Sequence, residues 1–239
     1  MHYLSLVFLV YLLLETSGAL APFIKPCKSD DTECLIASTQ NAIPYLGKGI
    51  PELGVPPGDS LTFKEINADQ GELKLTFRDL KLVGTSKCQV INVKRDIEKS
   101  TISIEIDCPL LVTGLYKLAG NLYVIPAEGD GEFEIKTDKA KIIATLKYKI
   151  VDGNNGQKHW KITGYDYSYD LVNRVYIKLE NLFNGDETRA KQVLDVLNNS
   201  WKALITEIGS PIIKELVAKA VNSIKKFMLA VPTSELELS

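Results

Sequence analysis

From Ser60 to about Glu180, apolar and polar positions alternate along the chain. Leu61/Phe63, Leu73/Leu75/Phe77, Ile102/Ile104/Ile106, Phe133/Ile135, Ile142/Ala144/Leu146/Tyr148/Ile150, Trp160/Ile162 and Val175/Ile177/Leu179 each mark one face, with Lys, Glu, Asp, Thr and Ser largely between them. A period of two with one dry and one wet face predicts antiparallel strands. Turn signals fall at Asp69-Gln70-Gly71, Glu98-Lys99-Ser100, Glu128 to Gly131 and Asp152 to Gly156. From about Asp186 to Met228 the period changes to 3.6, and Leu194, Leu197, Trp201, Leu204/Ile205, Ile208, Ile212, Leu216, Ala220, Ile224 and Phe227 form one stripe. Asp186 can cap this helix, and Gly209-Ser210-Pro211 should kink or break it near the middle. A shorter helix is expected from about Asp31 to Ala42, capped by Asp30 or Asp31 and ended by Pro44, Gly47, Gly49 and Pro51. Gly54 to Gly58 reads as an extended, stiff connector.

Unbroken, a C-terminal helix of about 43 residues would run roughly 65 Å. A compact chain of about 220 residues has a radius of gyration of only ~17 Å. The sheet must therefore wrap an elongated helix, or the helix must fold at Gly209–Pro211. The expected class is α+β: an elongated, strongly curved antiparallel sheet wrapped around a long C-terminal helix. If its interior is not fully filled, it is a hydrophobic tunnel. The residues expected to line it are Phe63, Leu75, Phe77, Ile104, Phe133, Ile135, Leu146, Tyr148, Trp160, Ile177, Leu197, Trp201, Leu204 and Ile208. Tyr148, on the apolar face, and Tyr116, which faces either in or out, are the candidates to offer a hydroxyl to a ligand. Tyr165, Tyr167 and Tyr169 share a face opposite to that of Trp160 and Ile162. There they read as an outer cross-strand row or as a binding surface.

Leu4 to Leu14 form an apolar run, too short for a membrane span of about 20 residues. Ser17 and Ala19 suit the −3 and −1 positions of a cleavage site, so residues 1–19 read as a secretory signal peptide and 20–239 as a single domain. The run lacks a preceding Lys or Arg, which leaves a membrane anchor or a buried N-terminal helix as the other reading. No later segment is long enough and free enough of charge to insert stably in a bilayer. In a secreted chain the four cysteines should pair, and the sequential pattern Cys27–Cys34 and Cys88–Cys108 is the most economical. A hairpin centred on Glu98 sets Cys88 opposite Cys108. Ile91, Val93 and Ile97, however, share one face and Cys88 the other. Pairing therefore demands a one-residue bulge between Cys88 and Ile91; otherwise the two do not pair across this hairpin.

Charge and composition narrow the function. With 28 Lys+Arg against 30 Asp+Glu the chain lacks the basic excess that nucleic acid requires. Its histidines are His2 and His159; once the N-terminus is removed, any His-dependent hydrolase must be built on His159, which reads as a surface residue beside a Gly/Asn-rich turn. There is no G-x-S-x-G, no Gly-rich phosphate loop and no metal-ligand cluster, so neither catalysis nor a metal or cofactor is expected. Asn198-Asn199-Ser200 is a glycosylation sequon, placed mid-helix beside the apolar stripe, where modification is not expected.

Several stretches together resemble the secreted insect takeout and juvenile-hormone-binding proteins. They are Pro26-Cys27 with Cys34, Lys48-Gly49-Ile50-Pro51-Glu52-Leu53-Gly54-Val55, Thr113 to Gly120, Pro126, Gly129-Asp130-Gly131, Asn198-Asn199-Ser200-Trp201 and Val231-Pro232, spread over about Cys27 to Leu238. The resemblance implies a long helix wrapped by a curved sheet, related to tubular lipid-binding modules. It also implies carriage, in insect haemolymph, of juvenile hormone, other terpenoids, or quinone-like or fatty ligands. The hormone carriers tend to have a second bridge in the C-terminal half, whereas no Cys follows Cys108 here. Gly58-Asp59-Ser60 also stands where an Asp-Pro step is common. The first departure favours a takeout-like member. The sequence thus predicts a secreted, extracellular, non-enzymatic carrier of a small hydrophobic ligand, gated where the disulfide-tethered N-terminal arm can move. The alternatives are a secreted interaction or signalling module with a packed core, and a hydrolase using His159.

Overall fold

The computed structural model describes residues 20–153 and 156–238; the expected signal peptide lies outside them. The elements are α1 (Thr32–Lys48), β1 (Leu61–Asn67), β2 (Lys74–Val83), β3 (Gln89–Asp96), β4 (Thr101–Leu122), β5 (Ile125–Asp152), β6 (Lys158–Leu171), β7 (Val175–Leu179), α2 (Glu187–Asn199), α3 (Trp201–Glu207), α4 (Ser210–Ala230) and α5 (Thr233–Leu236). The strands form one antiparallel sheet in the order β1-β2-β4-β5-β6, with β3 on the first half of β4 and β7 on the first half of β5. Its spine is the hairpin of β4, 22 residues, and β5, 28 residues, turning at Tyr123-Val124. Helix α4 packs against β1 and β6, the two margins of the sheet, and so spans its concave side. The α+β architecture expected from the alternation is the one observed.

Strands this long bury one face only if they bend, and the bends are β-bulges. Extra residues occur between Arg78 and Lys81 on β2, at Ile91 on β3, at Asp138–Lys139 on β5 and at Thr163 on β6. The bulge at Ile91 settles the cysteine register. Val93 pairs with Ile104 and Val90 with Ile106, which brings Cys88 opposite Cys108, and the disulfide is formed. The extra residue is Ile91 itself and not one before it, so Ile91, Val93 and Ile97 do not share a face as expected: Ile91 and Ile97 are exposed, and Val90 and Val93 take the buried face. The Cys27–Cys34 bridge is also formed, closing the arm onto the first turn of α1.

Four expectations need correction. The Glu128–Gly131 turn is instead strand, because its glycines serve close approach and not chain reversal. A Cβ on Gly129 would lie 2.4 Å from Tyr116 Oη, and one on Gly131 2.5 Å from the Glu180 carbonyl oxygen. Ile150 shares the apolar parity of β5 but sits past the end of the core, exposed. Helix α1 does not stop at Ala42; it carries Pro44 inside and ends at Lys48. Proline forgoes one helix hydrogen bond, and Ile43 and Leu46 keep that turn packed on the core. The Gly54–Gly58 connector is not a spacer. Val55 folds back to bridge Ile50, and the N–H groups of Gly58 and Asp59 donate to the Leu46 and Gly47 carbonyls left open at the end of α1.

The C-terminal stripe is three helices. Asp186 caps α2, its carboxylate accepting from Thr188 and Arg189 N–H. The break at Gly209 was expected; the one at Ser200 was not. Both are slight, since Ser200 N–H still donates to Val196 O and Gly209 N–H to Ile205 O.

Asp59 ties these parts together. Its carboxylate accepts from Gly84 N–H at 2.8 Å, Ser60 N–H at 3.1 Å, Thr85 Oγ1 at 3.3 Å and Ser86 Oγ. Burial pushes this carboxyl up, but the hydrogen bonds from Ser86, Gly84, Ser60 and Thr85 outweigh it and hold the pKa below 3.8. A depressed folded-state pKa gives stability that is present above the unfolded value and lost as pH falls through the folded one. Asp59→Asn is therefore expected to cost about 1 kcal/mol at neutral pH, after allowance for screening at this half-exposed group. The gap to the parent should narrow in urea titrations repeated well below pH 3.8.

Candidate functional site

The concave wall divides by burial. At one end, Leu75, Phe77, Tyr116, Phe133, Val193 and Leu197 form a sealed cluster beside the β4–β5 turn. At the other, Ile102, Leu146, Tyr148, Trp160, Ile162 and Phe227 form a second, covered by the N-terminal arm and α1. Between them most inward-facing apolar residues are only half-buried, Val221 of α4 being an exception: Ile104, Ile106 and Val112 of β4, Ile142 and Ala144 of β5, Ile205 of α3 and Ile208 just after it, and Val217 and Ile224 of α4.

The predicted lining residues distribute over this wall. Leu75, Phe77, Phe133, Leu197 and Leu204 lie in the first cluster, with Phe63, Ile135, Ile177 and Ile208 packed on it. Leu146, Tyr148 and Trp160 lie in the second, with Ile104 packed on it. Trp201 is half-buried at the α2–α3 junction.

The tyrosine row stands on the inner face, not on the one opposite Trp160 and Ile162 that its spacing suggests. Tyr148 pairs with Ile162 but Leu146 pairs with Tyr165, so Thr163 is an extra residue and parity reverses there. Tyr165, Tyr167 and Tyr169 stand opposite Leu146, Ala144 and Ile142, on the inner side with Trp160. A cleft of about 470 Å³ runs along the outer edge of this row, lined by Tyr167, Tyr169, Asp170, Leu171, Lys202 and Thr206.

Polar groups on the wall are few. Tyr116 is fully buried and donates its hydroxyl to Glu180 O at 2.7 Å, so it faces in but has no proton to spare. That burial, with Asp130 nearby, pushes its phenol up to about 12. Arg95, pointing inward from β3, pairs with Glu237 and donates Nε to Tyr148 Oη at 3.3 Å. Its guanidinium stacks 4.7 Å from the Trp160 ring. His159 is not a surface residue: it is 7% exposed and bridged to Pro232, and its Nδ1 has no partner among the described residues. Burial by the returning C-terminus was invisible in the local sequence. Among the described residues there is no cluster able to hold a metal ion, and no helix is long and apolar enough to cross a membrane.

Asn198 is committed to structure. Its Nδ2 donates to Ile177 O and Leu194 O, both at 3.0 Å, and its Oδ1 accepts from Ile177 N–H at 3.2 Å, clamping α2 to the free edge of β7. A glycan would replace one of the two N–H donors that make these bonds and would need space where the amide packs on β7. Secretion from eukaryotic cells is expected to yield unmodified Asn198 by peptide mass, and Asn198→Ala to cost about 1–3 kcal/mol in denaturant titration.

The profile of the haemolymph juvenile hormone binding protein family matches residues 5–237. The crystal structure of Takeout 1 from Epiphyas postvittana is similar to this fold with a TM-score of 0.86 at 28% identity, covering 90% of this chain and 100% of that one. The circadian clock-controlled protein daywake of Drosophila melanogaster is 25% identical over 219 residues, 87% of this chain and 84% of its own. A putative beta-carotene-binding protein of Schistocerca gregaria is 28% identical over 153 residues, 62% of this chain and 58% of its own. The chain belongs to the haemolymph juvenile hormone binding protein family.

Proposed function

We propose that this protein is a secreted, non-enzymatic carrier that holds a small hydrophobic molecule in a tunnel between the concave face of the sheet and helices α3 and α4. The observation that carries this reading is the burial gradient: apolar side chains are sealed at both ends of the interior and half-exposed in its middle. A core filled by its own side chains is tightest at its centre; this one is loosest there. The two disulfides suit an extracellular chain.

The energetics are adequate. An isoprenoid of farnesyl size buries ~400 Å² of apolar surface, worth about 10 kcal/mol gross. Association and ordering costs then leave an affinity between micromolar and nanomolar. The family is named for a hormone carrier and one relative for a carotene. Both names point to elongated isoprenoids, which we take as the ligand class ahead of quinone-like or fatty molecules.

The reading is tested by titrating delipidated protein with a fluorescent polyene and displacing it with an isoprenoid ester. Saturable, displaceable binding is expected; its absence refutes the reading in favour of a packed interaction module. Ala144→Phe separates the two independently. In a hollow interior the new ring enters empty space, so ligand affinity falls about tenfold or more while the melting temperature holds or rises. In a filled core the same ring overpacks and costs about 1–3 kcal/mol of stability.

A further inference from the structure

The interior has to be reached from outside, and its ends are firmly closed. At the Trp160 end, Leu20 and Ala21 N–H donate to the Glu235 carboxylate at 3.1 and 3.0 Å, and Leu238 N–H donates to Cys27 O at 3.0 Å. Arg95 pairs with Glu237 beneath them. At the other end, Tyr116 and its bond to Glu180 sit within a sealed cluster.

The side is different. Strand β6 ends the sheet order, so among the described residues its outer edge has no partner strand, only the bridge of His159 to Pro232 at its start. Helix α4 covers the first half of that edge, packing on Trp160 and Ile162, with Lys225 Nζ 5.6 Å from the Tyr165 ring. Beyond Tyr165 the cleft of about 470 Å³ separates β6 from α3. It reaches both inward-facing Tyr167 and Tyr169 and outward-facing Asp170, so it crosses the edge of the wall.

Helix α3 is the least tied of the three C-terminal helices. It has seven residues and lies between the slight breaks at Ser200 and Gly209. Its neighbours are anchored, α2 by the Asn198 clamp and α4 by buried Ile212 and by Lys219 on Thr62 O. Helix α3 itself holds by buried Leu204, half-buried Trp201 and Ile205, and two exposed polar ties, Lys202–Asp170 at 3.0 Å and Tyr123 Oη to Glu207 at 3.3 Å. Such exposed ties are weak.

We infer that this cleft is a side entrance for the hydrophobic ligand, that α3 is its door, and that the Tyr167 and Tyr169 hydroxyls at its inner rim receive the ligand's oxygen-bearing end. The inference rests on the carrier reading above. Neither hydroxyl has a hydrogen-bond partner among the described residues, and their neighbours on the inner face, Ile142, Ala144 and Leu171, are apolar. Burial, with a contribution from Tyr167, raises the Tyr169 phenol above 10, so it remains a donor at physiological pH. The matching ligand is an apolar chain with a carbonyl or carboxyl oxygen at one end; a pure hydrocarbon leaves both donors unmet.

Stopped-flow fluorescence with cis-parinaric acid, which carries a carboxyl, and diphenylhexatriene, which carries no oxygen, tests each part on the full chain. Thr206→Trp, which puts bulk over the cleft, should slow association and dissociation of both probes about fivefold or more with little change in Kd. Lys202→Glu, which faces Asp170 with like charge, should speed both. Glu235→Ala, which frees the arm, should change neither. Tyr167→Phe with Tyr169→Phe should weaken parinaric acid about tenfold and leave diphenylhexatriene unchanged. Unchanged rates in the Thr206 and Lys202 variants, or acceleration by Glu235→Ala alone, overturn the side entrance. Equal loss of both probes in the tyrosine variant overturns the oxygen-receiving role. If the parent protein binds neither probe, the carrier reading fails, and this inference with it.

Discussion

Successive side chains on a strand point to opposite sides of the sheet, so one inserted residue exchanges everything beyond it between water and core. The interior of this protein is set by that rule applied at four places. The bulge at Ile91 puts Cys88 within reach of Cys108, and the one between Arg78 and Lys81 lets Leu80 and Leu82 rejoin the face of Leu75 and Phe77. The bulge at Thr163 brings three phenols inside. Each insertion also bends its strand and adds twist. The same residues that choose the lining therefore curve the sheet until one helix, α4, can reach both of its margins.

That curvature makes a trough with two ends, and the chain spends its termini on one of them. The N-terminal arm, held to α1 by Cys27–Cys34, runs beside the C-terminal segment, and Glu235 and Glu237 bind across the join. Closing that end with backbone hydrogen bonds and buried Arg95 leaves no comparable device for the middle, where helices meet strands only through side chains. The interior is accordingly tight where polypeptide caps it and loose where α3 and the centre of α4 span it.

Much of this was legible in the residues. Alternation marked every strand but β3, Asp30 or Asp31 and Asp186 marked the starts of α1 and α2, and the clash between the parity of Ile91 and that of Cys88 demanded a bulge if the two cysteines were to pair. The same argument was available on β6: Trp160 and Ile162 hold even positions, while Tyr165, Tyr167 and Tyr169 hold odd ones. No cysteine demanded reconciliation there, so an outer row satisfied the pattern equally well. Gly129 and Gly131 misled for a related reason. A glycine serves a turn or a close approach equally, and only the Tyr116 ring and the Glu180 carbonyl, both distant in sequence, distinguish the two. The burial of His159 under Pro232 and the clamp of Asn198 on Ile177 are likewise contacts between remote segments, which no local periodicity encodes.

The division of labour along the wall bears on selectivity. Aliphatic surface distinguishes ligands weakly, since one methylene is worth only about 1–3 kcal/mol. A tunnel of Ile, Leu and Val alone would accept most apolar chains of suitable length. Discrimination must come from the few polar groups, and these are unequal. The Tyr116 hydroxyl is spent donating to the Glu180 backbone carbonyl, and the Tyr148 oxygen already accepts from Arg95. Among the described residues the Tyr167 and Tyr169 hydroxyls have no hydrogen-bond partner, and both side chains are half-buried rather than in a sealed cluster, so they can be met without breaking a described bond. If these two hydroxyls receive the ligand's oxygen as proposed, changing them would leave the apolar wall intact while altering which chains it prefers, so one greasy scaffold could serve different cargoes.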